Sequence, residues 1–155
     1  MLKWLKMEQL QVKQLWDRFF DESIIFTDRT GKELLPVHGI KVKTFDEHKQ
    51  SIVYSDIKYV IRHKVSKKMY SIHTYFMNRC VTVTKDHTCL KLSGNDLIQV
   101  KPDQLLINDN ILVSLNDTFF VDIVSDIHDV DYTDEYVYDI EVCDNHKFFA
   151  NDILV

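Results

Sequence analysis

The chain closes on Val137-Tyr-Asp-Ile-Glu-Val-Cys-Asp-Asn-His-Lys-Phe-Phe-Ala-Asn-Asp-Ile-Leu-Val155, and these nineteen residues decide how the rest is read. β-Branched and aromatic residues dominate Val137–Val142 and again Phe148–Val155, which predicts two short strands. Between them Cys143-Asp-Asn-His146 has turn chemistry. The reading is a final pair of strands around a tight turn, with a carboxylate, Asp139, and an imidazole, His146, held by one hairpin.

Working back toward the start, the same short β-rich runs recur. Strands are expected at Ser23–Thr27, Ile40–Thr44, Ile52–Ile57, Tyr59–Lys64, Met69–Thr74, Cys80–Val83, Leu97–Val100, Asn110–Val113 and Phe119–Ile127. Asp28-Arg-Thr-Gly31 and Ser93-Gly-Asn-Asp96 read as turns. Only Trp4–Phe20 breaks the pattern. There Trp4, Leu5, Leu10, Val12, Leu15, Trp16, Phe19 and Phe20 recur every three to four positions, the stripe of one amphipathic helix. The sum is a mostly antiparallel β-fold with one N-terminal helix. No repeat of solenoid period and no Pro/Gly/Ser-rich linker divides the chain, so residues 1–155 read as a single domain.

At 155 residues the chain can bury a real core. Its net charge of −5 recommends no nucleic-acid partner. Apolar runs fall short of a membrane span and no signal-peptide pattern opens the chain, so the expected location is cytoplasmic, with no membrane partner. Three cysteines, Cys80, Cys89 and Cys143, form no CxxC pair. They read as free thiols in a reducing compartment, with no zinc site, and no cofactor or metal is expected.

Two clusters could carry chemistry. In Val81-Thr-Val-Thr-Lys-Asp-His-Thr88 a β-branched run stops at Thr84-Lys-Asp-His87. A strand ending in Thr-x-x-His can set a hydroxyl and an imidazole on one side of a turn, able to hold a carbonyl and pass a proton to a leaving amide nitrogen. The other cluster is Asp139 with His146. Each has a plainer reading. Thr-x-x-His arises often by chance, Asp139 alternates as a solvent-facing strand residue would, and His146 can be a turn histidine. The acidic stretch Asp126–Glu135 lacks the spacing of an EF-hand loop and reads as a solvated loop. Arg62-His63-Lys64 reads as a charged strand end.

Order and spacing add a resemblance. Cys80-Val-Thr-Val-Thr-Lys-Asp-His87 and Val137–Val155 resemble two motifs of the inteins, the domains that excise themselves from a host protein and join its flanks. Lys58–Ser71 resembles the strand pair before the first motif, and Trp4–Leu10 weakly resembles a stretch near the family's N-terminus. The nearest likeness is to inteins inserted in family-B DNA polymerases. It implies the Hint fold, a horseshoe of intertwined antiparallel strands with pseudo-twofold symmetry. It also implies protein splicing, a covalent, single-turnover sequence in which one hard cleavage is divided into easier acyl exchanges.

By the same resemblance, Thr84 and His87 would strain and protonate the N-terminal scissile amide. Asp139 would assist the first acyl shift, and His146 the cyclisation of a terminal Asn. Asp86 lies inside the first motif as a further candidate. About fifty residues separate His87 from Val137, too few for a homing endonuclease, so the resemblance implies a mini-intein. Two departures matter. The chain begins without a Ser or Cys nucleophile, and it stops short of the family's His-Asn. The expectation is the C-terminal piece of a split mini-intein, splicing in trans with a short N-terminal intein fragment that carries the nucleophile and adds as a strand. The other partners would be host protein segments. The alternatives are a hedgehog-type Hint domain that only cleaves, and a β-rich binding module without chemistry.

Overall fold

The computed structural model describes residues 3–5, 9–64, 68–132, 134–143 and 146–155, with the backbone alone for 3–5 and 9–11. Among these, a short strand β1 (Lys3–Leu5) precedes the helix α1 (Gln9–Phe19). Then follow β2 (Phe26–Thr27), β3 (Glu33–Pro36), β4 (Ile40–Asp46), β5 (Ser51–Lys64), β6 (Met69–Thr74) and β7 (Cys80–Thr84). The rest are β8 (Cys89–Ser93), β9 (Asp96–Val100), β10 (Asn110–Leu115), β11 (Thr118–Val130), β12 (Tyr136–Val142), β13 (Phe149–Ala150) and β14 (Ile153–Leu154). No helix among the described residues is long and apolar enough to cross a membrane.

Two strands organise the molecule because each is too long for one partner. β5, of fourteen residues, pairs first with β4 (Lys41↔Asp56 to Asp46↔Ser51) and then with β3 and β12 on its two edges. β11, of thirteen, pairs first with β10 and then, past a bulge at Ser125, with β6. Thus the order hairpin, long strand, crossing strand occurs twice, and each third strand pairs with the other half's long strand. β6 lies on β11 and β12 on β5, so the halves clasp. This is the intertwined, mostly antiparallel arrangement expected.

The main core fills the space between the sheets and under α1. Val12, Leu15 and Trp16 are buried there with Leu35, Val60, Tyr138 and Ile140. Trp16 meets the Tyr138 ring edge-on at 6.3 Å, while the Arg62 guanidinium lies 4.5 Å from its ring centre. A second cluster, Phe45, Leu90, Leu112, Phe149 and Leu154, seals the far end. Trp16 alone contributes burial worth several kcal/mol.

Several sequence expectations need correction. Residues 3–5 are not helical: they pair parallel to β4 (Lys3↔Ile40, Leu5↔Val42), covering a strand edge that would otherwise be open. The helix stops at Phe19 because the Asp21 carboxylate takes the Ser23 N–H (3.0 Å) and hydroxyl (2.7 Å), a local turn that competes with the helix. That turn also leaves only Phe26–Thr27 of the run Ser23–Thr27 as strand. Ile52–Ile57 and Tyr59–Lys64 are one strand, with Lys58 absorbed as a bulge opposite β12. Asp126–Val130 is not loop but the end of β11. β3 and β8 form where the sequence pattern predicts no strand.

The final hairpin is the largest correction. β12 does not pair with the strands after it. β13 and β14 form their own small hairpin, turned by Asn151 and Asp152 at φ 47° and 68°, and attach to β10 through Val113↔Ile153. Asp139 and His146 therefore stand on different supports. Residues 144 and 145 of the expected turn lie outside the described set, as do 6–8 and 65–67 of the other matched stretches.

Candidate active site

β7 runs out at Thr84, and the chain turns there because the His87 N–H bonds back to the Thr84 carbonyl at 3.0 Å. The Lys101 ammonium grips the Asp86 carbonyl from outside at 2.8 Å. The turn so held directs His87 at β12, where Asp139 is the half-exposed position between Tyr138 and Ile140. His87 Nδ1 lies 3.5 Å from Asp139 Oδ2, an ion-pair contact longer than a tight hydrogen bond. Phe148, just before β13, presents its ring edge-on to the imidazole at 6.4 Å. One residue of the pair belongs to the eight-stranded sheet and the other to the six-stranded sheet, and they meet only because the halves clasp.

Around them opens a cleft of about 640 Å³. Thr84, Asp86, His87, Asp139 and His146 all line it, so all five sequence candidates border one space. Partial burial would raise the Asp139 pKa. It is outweighed by the charge and hydrogen bonding of His87, by the Ile140 N–H donated at 2.8 Å to Oδ1, and by Lys32, which together hold the carboxyl below its ordinary 3.8. His146 is exposed and adopts φ 55°, in the left-handed region that histidine, like asparagine and aspartate, enters more often than most residues with a side chain. It also borders a second hollow of about 350 Å³ with Thr88, Lys147 and the last residue, Val155. Val155 is fixed there by two backbone bonds of 2.9 Å with Phe148.

The sequence reading missed the opposite wall, which is Thr30-Gly-Lys-Glu33 with His63, Tyr136 and Phe148. A signal was available in Asp28-Arg-Thr-Gly31. The Asp28 carboxylate takes the Thr30 N–H and hydroxyl and the Lys32 N–H, and Gly31 at φ 87° lets the chain turn toward the cleft. Arg62 is more than a charged strand end: it forks onto Glu33 at 2.9 Å to both oxygens and braces this wall. Cys89 sits behind the turn, and burial, against a smaller opposing effect of Lys101, pushes its thiol up to about 12, so it is inert as a nucleophile near neutrality. No described cleft residues form a trio of ligand atoms close enough for a metal ion.

The arrangement offers a proton donor and acceptor beside a carboxylate, with a second imidazole across the same cleft. Inteins are among the solved structures with this chain's architecture. The PabCDC21-1 intein aligns with TM-score 0.83 at 20% identity, over 93% of this chain and 86% of that one. The chain has the Hint fold of the inteins. An intein from a hyperthermophile aligns with TM-score 0.80 at 15% identity, over 92% of this intein-fold chain and 85% of its own. The transcription factor IIB Mvu mini-intein does so with TM-score 0.78 at 23% identity, over 92% and 87%. No protein-family model matches the intein-fold chain. In sequence it is 30% identical over 127 residues to a DNA polymerase of Thermococcus aggregans, and 31% identical over 114 residues to an uncharacterized protein of Methanocaldococcus jannaschii. Those matches cover 80% and 72% of this chain but only 7% and 15% of the relatives' lengths.

Proposed function

We propose that this chain is the splicing domain of a mini-intein, rearranging peptide bonds of a host protein once per molecule. The observation that carries the reading is the His87–Asp139 contact across the two sheets, at the edge of a cleft that also holds His146. In the first step a hydroxyl or thiol attacks the preceding carbonyl. The C–N bond breaks, an ester or thioester forms, and the amide nitrogen takes up a proton. With Nδ1 turned to Asp139, His87 supplies that proton from Nε2, Thr84 orients the carbonyl, and Asp139 steadies the imidazolium charge. His146, beside Val155, assists cyclisation of an Asn in the downstream segment. A Hint fold and two imidazoles around one cleft support this division of labour.

The cleft's described lining contains no Ser or Cys. The nucleophile and its acyl group come from another segment, and we assign them to a short N-terminal intein fragment that docks by strand addition, so splicing runs in trans. The sequence match to a DNA polymerase supports a polymerase as host.

The test extends the chain after Val155 by His-Asn and a host Ser or Thr, and adds tagged synthetic N-terminal intein peptides. Ligated host segments, seen by mass spectrometry, are expected. His87→Ala and Asp139→Ala should each slow N-terminal cleavage at least about 100-fold, the low end for losing general acid–base assistance. Cleavage without ligation would favour a Hint domain that only cleaves. No product with any peptide would sink the proposal and leave a binding module.

A further inference from the structure

A second cluster of chemistry-bearing side chains lies away from the cleft, on three adjacent strands. β6 runs between β7 and β11, and its register sets His73 opposite Cys80 on one side and Asp126 on the other. His128, two residues beyond Asp126, points to the same face and lies opposite Ser71. The alignment depends on the bulge at Ser125. Without that extra residue Asp126 would fall on the other face of the sheet.

On that face one ligand atom each from His73, Asp126 and His128 lies within 4.8 Å of the others. His128 Nδ1 is 2.8 Å from Asp126 Oδ2, and the rings of His73 and His128 stack with centroids 5.4 Å apart. Cys80 Sγ lies 3.6 Å from His73 Nε2, and the Ser71 hydroxyl lies 2.9 Å from that sulfur and 3.1 Å from the same nitrogen. The backbone beneath is fixed: the Asn151 side-chain amide bonds the Cys80 carbonyl at 2.6 Å. None of these residues lines the His87–Asp139 cleft.

We propose that His73, Asp126 and His128, with Cys80 as fourth ligand, bind a divalent transition-metal ion of the zinc class. A tetrahedral zinc site has bonds of about 2.0–2.3 Å, which puts neighbouring donors about 3.3–3.8 Å apart. The His73, Asp126 and His128 donors are therefore within roughly 1 Å of binding geometry, a movement that side-chain rotation supplies, and Cys80 reaches the group through His73, 3.6 Å away. Two imidazoles, a thiol and one carboxylate make a borderline-soft set that selects zinc-like ions over calcium or magnesium, which ask for oxygen donors. Bound there, the ion rivets β7, β6 and β11 together. The sequence reading discounted metal because the three cysteines form no pair, whereas the donors here are mostly imidazole and come from three separated strands.

The test is calorimetric titration of the full chain with Zn²⁺, alongside Co²⁺ as a spectroscopic substitute. One saturable site is expected, with tetrahedral visible bands for Co²⁺ and a near-ultraviolet thiolate band that vanishes in Cys80→Ser. His128→Gln and His73→Gln should each weaken Zn²⁺ binding by at least about 100-fold, beyond the 10–100-fold typical of losing an outer-shell partner. The double variant His87→Ala/His146→Ala should bind as tightly as the parent, since it removes only cleft imidazoles. A Zn²⁺-dependent rise in melting temperature should follow the same pattern. His128 is exposed, so H128Q carries the test if H73Q fails to fold. The assignment is overturned if the parent shows no saturable binding, if the two glutamine variants bind like the parent, or if binding is lost in the cleft variant. A thiolate band that survives Cys80→Ser removes Cys80 from the ligand set.

Discussion

Asp139 shows how a residue's surroundings, more than its type, set its chemistry. By strand alternation it is a surface carboxylate, but β12 is packed against β5 and faces the β7 turn, so its oxygens meet His87 and the Ile140 N–H. Its folded pKa lies below the ordinary 3.8. A depressed carboxyl contributes stability that is full above the unfolded value and is lost as pH falls through the folded one. Urea unfolding followed from pH 6 downward should therefore show a shallower acid limb below about pH 3.8 in Asp139→Asn than in the parent, and parallel limbs would contradict the assignment. His146 makes the complementary case. At φ 55° it occupies the left-handed region, which asparagine enters at least as readily as histidine. His146→Asn should keep stability within about 0.5 kcal/mol of the parent or raise it, while Asn cyclisation is lost. A fall of more than about 1 kcal/mol in chemical denaturation would show that the side chain serves packing instead.

At the scale of elements, β6 was legible to the residue and β7, β9 and β10 to within two, because alternating β-branched residues between polar turns carry their own signal. The failures each have a tertiary cause. β1 lies in a stretch whose apolar spacing suits a helix, but the open edge of β4 takes it as a strand. The last pair looked like one hairpin because local sequence cannot tell which strand β12 will meet. The one helix expected over Trp4–Phe20 forms over Gln9–Phe19. Trp16, 1% exposed between Tyr138 and Arg62, anchors it. Trp16→Ala should cost about 3–5 kcal/mol in chemical unfolding. It should also slow the cleft reaction, since Tyr138 adjoins Asp139; stability lost with full reaction rate would separate the helix from the site. Within β11, the residue that holds the turn between β6 and β7 offers a second check. Asp122 is fully buried, and its carboxylate takes the N–H groups of Phe76, Met77 and Ile123 at 2.7–2.9 Å. Asp122→Asn should cost about 2–3 kcal/mol at neutral pH, measured the same way, because a buried acceptor with charged bonds is replaced by a neutral one.

At the scale of the whole molecule, the crossing of β6 and β12 makes the two halves interdependent. Neither long strand has its full set of partners until both halves are in place. Native-state hydrogen exchange should therefore give the central amides of β6 and β12 the same opening free energy, that of global unfolding. A markedly lower value for either strand would mean that the halves open separately. By itself the sequence determined that the chain is a β-fold with one helix and drew attention to Thr84, His87, Asp139 and His146, because alternation and turn residues are local properties, while the resemblance added Asp86. Only the tertiary structure decided that His87 and Asp139 touch, that the Asp28–Gly31 turn and Phe148 wall the cleft, and that His73, Asp126, His128 and Cys80 share one face. Those meetings depend on strand register and on which sheet each strand joins, and register is set by long-range pairing that no window of sequence contains.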